Sequence, residues 1–598
     1  MQPRRERAVP VSESTVLRTD VLIIGSEGAG ARAAWEVADR GLRATIVTKG
    51  RLGRSGATLT GAADLDVDSR SLLRLLGPEP RLSGIAPNPE DSPEAFFRDM
   101  LVEGKWLNDQ RLVLAHVEDV PERAREMLEA GLKVYDLRQM PGHRYPRNMY
   151  TSGHDLVQVL KAQVKRRPIQ VVEDTMITDL LTRDGQVVGA VGLDLTRGEP
   201  VAFAAKAVIL ATGGGHNLYE YNTGPEDLTG DGQAMALRAG AELIDMEMTQ
   251  FIPTTIVNPP LARGNLFPFL LGPQNALRVW LLNKYGERFM ARWDPDRMEH
   301  STRDLLSIGI MTEVVEGRGT PNGGVYMSLA HLPTNLIDDF ARWGAKPFIR
   351  KDWYSHGLSF APLMEEVKRG RAIEVAPACH FFMGGVRIDE WCATSLPGLF
   401  AAGEVTGAVH GANRLSGNAF AQVLVQGKRA GEAAARFAAR SRAVPEPDPA
   451  QVRELWARIE APLEREGPCS YEVRDELRAL AQQKVGVVRD GPALRAAVER
   501  IEALRREAIP RLAARNRDRV FNPEWVECLQ VANIATTLAA VARGALAREE
   551  SRGAHYRRDY PRLDNARWLQ HTIQRMEDGV LQLRLEPVAT PLLRPPLE

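Results

Sequence analysis

Apolar positions along this chain fall into short runs near the N-terminus and into 3.6-residue periods near the C-terminus. Val21 to Ile24 predicts an apolar strand, Ala31 to Asp39 a helix of small residues suited to close packing on a sheet, and Ala44-Thr45-Ile46-Val47 a second strand. Together they make one βαβ unit. A charged, irregular stretch from Pro78 to Asp99 follows, then helical segments to about Leu132. Val171 to Leu181 and Gln186 to Leu193 alternate like strands, and Ala207-Val208-Ile209-Leu210 is a buried strand ending in Ala211-Thr212-Gly213-Gly214.

From Ala234 to about Arg369 the texture changes, with more Pro, Trp and Phe, as expected of a domain inserted into the first. Strand and glycine signals return at Gly398-Leu399-Phe400-Ala401-Ala402-Gly403-Glu404, and from about Asp448 the helical period dominates over Val452 to Ile459, Ala493 to Ala508 and Pro523 to Glu549. The resulting division is a flexible N-terminus (1–18), a first domain in two pieces (19–235 and 370–440), an insertion (236–369), a helical domain (441–572) and a tail (573–598) whose Pro-rich end, Pro587 to Glu598, is expected to pack poorly.

A chain of 598 residues is too long for one core and fits several domains. Its 77 basic and 77 acidic residues balance, which argues against a polyanionic partner such as nucleic acid. Arg4-Arg5 is followed by no apolar segment of signal type, and no apolar run reads as membrane-spanning, so the expectation is a cytoplasmic protein that reaches a membrane only through a partner. Cys379, Cys392, Cys469 and Cys528 form no Cys-x-x-Cys pair, so no metal site or iron–sulfur cluster is expected within the chain.

The loop Gly25-Ser26-Glu27-Gly28-Ala29-Gly30 follows the first strand and opens the first helix. Glycines there permit a tight turn, close backbone approach to a pyrophosphate and tight helix–sheet packing, and the helix N-terminus offers free N–H groups to phosphate. Glu27 stands where the middle glycine of the pattern belongs, and a carboxylate beside pyrophosphate is repulsive unless its side chain turns away. The second strand ends in Thr48-Lys49 rather than in the acidic ribose ligand of NAD sites, so the loop is not read as an NAD site.

Four further stretches carry a specific resemblance. They are Leu281-Leu282-Asn283-Lys284-Tyr285-Gly286-Glu287-Arg288-Phe289-Met290, Ala378-Cys379-His380-Phe381-Phe382-Met383-Gly384-Gly385, His410-Gly411-Ala412-Asn413-Arg414-Leu415-Ser416-Gly417-Asn418, and Val526-Glu527-Cys528-Leu529 with Glu550-Ser551-Arg552-Gly553-Ala554-His555. In this order, from about Thr19 to about Thr572, the chain resembles the flavoprotein subunit of the succinate dehydrogenase and fumarate reductase family, which includes L-aspartate oxidase and, more remotely, adenylylsulfate reductase.

That resemblance implies an α/β architecture: a Rossmann-like FAD-binding domain, an inserted α+β capping domain that closes over the flavin, and a C-terminal helical domain. It places the cofactor against Gly25, Gly28, Ala29 and Gly30, against Thr48 and Lys49, and against Ser55, Gly56, Ala57, Gly61 and Ala62. It also places Ala211, Thr212, Gly213, Asp231 and Gly403 beside the cofactor, with Glu404 on ribityl or ribose hydroxyls. Arg414, Ser416, Asn418 and Ala419 then lie at a helix N-terminus facing the pyrimidine end of the flavin, where negative charge develops on reduction. Respiratory members attach FAD through the histidine of an Arg-Ser-His-Thr stretch; here the site reads Arg54-Ser55-Gly56-Ala57-Thr58, so FAD is expected to be non-covalent.

Family chemistry is hydride transfer between flavin and a carbon next to a carboxylate. Arg303 stands at the position of the family's proton-donating arginine, and His380 and Arg414 at a carboxylate clamp. The family's Gln-Phe-His-Pro-Thr reads Gln250-Phe251-Ile252-Pro253-Thr254, and its Thr-Glu pair falls at Leu271-Gly272, with no Asp or Glu from Phe251 to Gly286. One clamp is kept and the other half of the pocket is apolar, which penalises a second carboxylate. The expectation is a fumarate-reductase-like enzyme acting on a C=C or CH–CH bond of a small-molecule carboxylic acid other than plain fumarate. The alternatives are an L-aspartate-like oxidase, or an electron-transfer subunit working with an iron–sulfur partner.

Overall fold

The computed structural model describes residues 16–258, 260, 263–264, 279–337 and 361–596. A seven-stranded sheet runs Ile169–Val172, Ala44–Val47, Val16–Ile24, Glu199–Leu210, Gln186–Asp194 and Thr175–Arg183, with Leu399–Ala401 pairing alongside Glu199–Leu210. The strands around Val16–Ile24 are parallel to it, and Thr175–Arg183, Gln186–Asp194 and Glu199–Leu210 are antiparallel. Val21, Leu22 and Ile23 are fully buried, as a parallel strand covered on both faces requires. The first strand begins at Val16, earlier than expected, because Val16 to Thr19 pair with Ala202 to Ala205.

The helix Gly28–Asp39 packs against the helix Asn418–Ala438. The contact is backbone-close: a Cβ on Gly427 would lie 2.6 Å from the Ala29 carbonyl oxygen, and one on Gly431 2.6 Å from that of Ala33. The small-residue face read from the sequence is therefore used on another helix.

A second, antiparallel sheet takes Thr249–Asn258, Ile373–Phe382, Val325–Ser328 and Trp280–Leu282 in that order, with the helix Arg303–Val315 packed on it. It has its own core, including Ile256, Leu281, Met290, Ile310 and Val325. A third layer holds the helices Pro449–Glu464, Ser470–Lys484, Gly491–Glu507 and Pro523–Ala547. By length and composition Pro523–Ala547 could cross a membrane, contrary to the sequence expectation, but 78% of its apolar window is buried inside the protein. The sequence division cuts through Gln570–Glu577, which forms a hairpin with Val580–Pro587. That hairpin extends onto Leu243–Ile244 and Gly385–Val386, the two connections into and out of the second sheet. Buried Arg548, bonded to Glu247 at 2.8 Å and Glu550 at 3.0 Å, fixes the same junction.

Candidate functional site

The first βα turn is built at backbone contact distance. Gly25 has φ +108°, and a Cβ there would lie 2.1 Å from the Ala211 carbonyl oxygen; one on Gly30 would lie 2.0 Å from the Gly25 carbonyl oxygen. Gly30 does not line the cavity, so its part is to let helix and strand approach. Gly30→Ala is expected to destabilise the protein by roughly 1–3 kcal/mol, seen as a lower Tm and weaker flavin retention. An unchanged Tm would contradict the packing role.

Glu27 does turn away. Its Oε2 accepts from the Leu59 amide at 3.1 Å, and Oε1 has no partner among the described residues. Burial pushes its carboxyl up to about 8, against the Leu59 bond and with help from the charge of Asp227, so at neutral pH it carries a proton. Gly56 faces it with φ +89°, and a Cβ on Gly56 would lie 2.3 Å from Glu27 Cγ. Glu27 therefore fills the space that a side chain at 56 would need.

One cavity runs from this cradle past the strand ends toward the second sheet. Gly25, Gly28, Ala29, Thr48, Lys49, Ser55, Gly56, Ala57, Gly61, Ala211, Thr212, Gly213, Asp231, Gly403 and Glu404 all line it. Lys49 Nζ donates to Asp231 Oδ2 at 2.8 Å and to the Asp227 carbonyl at 2.8 Å, a cation held where NAD sites place an acid. Glu404 Oε1 accepts from the Phe382 amide at 2.9 Å and bonds His216 Nε2 at 2.7 Å, which ties the second sheet to the first. Ser416, Gly417 and Ala419 line the cavity at the start of the helix Asn418–Ala438. Asn418 does not: it is fully buried, with Oδ1 3.2 Å from His116 Nε2. Ala62 lies on the strand Ala62–Asp66.

The residues expected to be catalytic converge at the far end. Arg303, His380, Arg414, Ser416 and Ile252 line the same cavity. Arg303 Nη2 donates to Ser416 Oγ at 2.9 Å, and Nη1 has no partner among the described residues. Arg414 lies over Phe381 at 4.4 Å, and its backbone carbonyl is held by Gln250 Nε2 at 3.0 Å. Burial, and next the Arg303 charge, push the Arg414 guanidinium down to about 9; burial also lowers Arg303. An anion entering between these cations relieves both effects.

His380 owes its direction to a bulge. Gln250 pairs with Phe381 and Phe251 with Cys379, so His380 is the extra residue of its strand. Its Nδ1 lies 2.7 Å from Thr223 Oγ1, and burial with two nearby guanidinium groups holds the ring well below the ordinary imidazole range. A neutral imidazole so fixed has Nε2 left for a ligand. His216, Thr223 and Asp64 also line the cavity and were missed by sequence reasoning. Only Gly213-Gly214-Gly215-His216, a histidine directly after a strand-end glycine run, offered a local signal. The stretch Asn265 to Gly272, including the expected Leu271-Gly272 loss, lies outside the described residues.

The glycine cradle and its cavity fit FAD, and the fold around them is that of a flavin-dependent oxidoreductase. Residues 20–420 match the family described as FAD binding domain, and residues 474–598 the fumarate reductase flavoprotein C-terminal family. The chain is 40% identical over 569 residues to a chain of the CoM/CoB fumarate reductase of Methanothermobacter marburgensis, covering 92% of this chain and 96% of that one. It is 33% identical to a fumarate reductase flavoprotein subunit of Mycobacterium tuberculosis, over 95% of this chain and 97% of that one. Among solved structures, Mycobacterium smegmatis Sdh1 in complex with UQ1 superposes with a TM-score of 0.82 at 32% identity, covering 96% of this chain and 95% of that chain. The chain belongs to the FAD-dependent fumarate reductase and succinate dehydrogenase flavoprotein family.

Proposed function

We propose that this chain reduces the C=C bond of an unsaturated carboxylic acid that presents one carboxylate to Arg414 and His380 and an apolar or uncharged end to Ile252. The observation that carries this reading is that the guanidinium groups of Arg303 and buried Arg414 line the same cavity as buried, apolar Ile252. Non-covalent FAD is part of the proposal, since Gly56 has no nucleophile and Glu27 fills the space beside it. When bound, FAD supplies or accepts the hydride.

The chain's own residues do the rest. Arg414 and His380 fix one carboxylate, which holds the adjacent carbons in place. Arg303, positioned by Ser416, faces the cavity with a free Nη1 and gives a proton to the neighbouring carbon. A guanidinium is a poor acid, and its buried, lowered state makes the transfer less costly. The Phe382–Glu404 bond holds the second sheet, which carries His380, to the first.

The test is reoxidation of the anaerobically reduced protein by fumarate and by crotonate, a monocarboxylate with an apolar end. Faster reoxidation by crotonate supports the proposal; response to fumarate alone overturns the altered specificity. Fumarate itself is the second reading, favoured by the 40% identical relative named as a fumarate reductase. Ile252→His is expected to raise the fumarate-to-crotonate ratio of kcat/KM by about tenfold, since a new donor would pair a second carboxylate (about 1.4 kcal/mol, within the range of one hydrogen bond to a charged group). An unchanged ratio would place Ile252 away from the substrate. The family also includes subunits that act in complexes, and this chain's electron donor is proposed to be a partner carrying iron–sulfur clusters; co-purification with a cysteine-rich chain checks that.

A further inference from the structure

A guanidinium that has given up a proton must be recharged before the next turnover, and neutral buried arginine cannot draw that proton from an apolar wall. Ile252 offers nothing, and His380, held neutral between two cations, is a poor source. The strand Ala62–Asp66 brings a carboxyl to the cavity. Asp64 on this strand lines the same cavity as Arg303 and is only 6% exposed, yet its Oδ1 has no hydrogen-bond partner among the described residues. A buried carboxyl oxygen left without a partner costs stability, so its retention at the cavity asks for a reason.

Asp66 shares its strand face, because residues two apart in a strand point the same way. Asp66 Oδ1 accepts from Asn148 Nδ2 at 2.6 Å, and Oδ2 lies 3.5 Å from His143 Nε2. Asp66 also supports the turn that carries Ser416: a Cβ on Gly417 would lie 2.0 Å from Asp66 Oδ1. Both carboxyls are pushed up, first by burial, and in Asp66 next by the charge of Asp64. The charged groups facing Asp64 are Arg138, Arg303 and Arg414, which favour its ionisation, and Asp136, which opposes it. Burial of two carboxyls on one strand face favours the protonated form of both.

We propose that Asp64, backed by Asp66, is the proton reservoir for Arg303. The assignment rests on the proposed acid role of Arg303. After Arg303 gives its proton to the substrate carbon, the Asp64 carboxylic acid passes its O–H proton to the neutral guanidine. Arg303 is again a cation and Asp64 a carboxylate. Asp66 returns a proton to Asp64, and the pair takes one proton from water per turnover. No electrons move in this sequence. Asp64 acts through Arg303 and is a positioning and relay residue, not a catalytic one.

The prediction separates the first turnover from the following ones. In Asp64→Asn, Arg303 begins charged, so a single reoxidation of pre-reduced flavin by fumarate or crotonate is expected within about twofold of wild type. Steady-state kcat with a reduced viologen dye as donor is expected to fall about 10²-fold, with KM within about threefold and flavin content unchanged. Asp64→Glu keeps a protonatable group and is expected to recover most of the steady-state rate. Equal losses in single and multiple turnover for both variants would assign Asp64 a structural role and overturn the proposal, as would a wild-type kcat in Asp64→Asn. Arg303→Gln is the control for the underlying reading: if its single turnover is intact, the acid role of Arg303 fails, and the relay with it.

Discussion

Arg303→Gln is expected to lower single-turnover flavin reoxidation by about 10²–10⁴-fold, the range for removing a positioned general acid, while flavin content stays unchanged. The side chain sits at the first position of the helix Arg303–Val315, where Thr302 makes no side-chain cap. A cation there opposes the helix dipole, and the structural effect of removing it is neutral or stabilising. Among the described residues it bonds Ser416 Oγ, across the cavity from its own helix. An arginine placed against its local helix preference, with an unused buried N–H, is explained by what enters the cavity. Arg303→Lys should not rescue, because an ammonium lacks the fork that reaches Ser416 and a substrate carbon together. Stopped-flow reoxidation and thermal unfolding decide it: a lost rate with an equal or higher Tm supports the acid role, and a lower Tm with a proportionate loss of activity makes Arg303 a packing residue.

Flavin affinity is expected to be independent of Glu27 titration below about pH 8 and to weaken about tenfold per pH unit above it. The Glu27 carboxyl titrates at about 8 in the unliganded cradle. Pyrophosphate raises it further by like-charge repulsion, so binding above that pH takes up a proton and loses free energy as pH rises, about 1.4 kcal/mol per unit. Below it the acid is neutral in both states and drops out. Glu27→Gln, which keeps the shape and removes the charge, should abolish the slope. Fluorescence titration of apoprotein with FAD between pH 6 and 10 measures both; a parallel slope in the variant would assign the pH dependence to another group.

Much of the cradle could be read locally, because Val21 to Ile24, the glycine loop and the small-residue helix are adjacent in the chain. What Glu27 does could not, since its direction depends on the Leu59 amide and on the space at Gly56. The residue types at Arg303, His380 and Arg414 were legible through the resemblance, but their convergence comes from three elements distant in sequence. The aim of His380 comes from a bulge that exists only in the register with Gln250 and Phe251. Asp64-Leu65-Asp66 was passed over in the sequence. Its burial follows from pairing with Asn148–Ser152 and from the Ser416–Gly417 turn laid over it, which no local period encodes. The Pro523–Ala547 helix was legible as a helix, and its apolar character serves an interior position.

That helix also bears on how the chain is made. Its neighbours Asp231–Arg238, Ser470–Lys484 and Gly491–Glu507 all precede it in synthesis, so a receiving groove exists before its last turn leaves the ribosome. The hairpin Gln570–Pro587 comes afterwards and seals the remaining side, with Gln574 Nε2 donating to the Ala540 carbonyl at 2.8 Å. During that interval an apolar rod of 25 residues lacks part of its cover, and the last stretch of the chain supplies it.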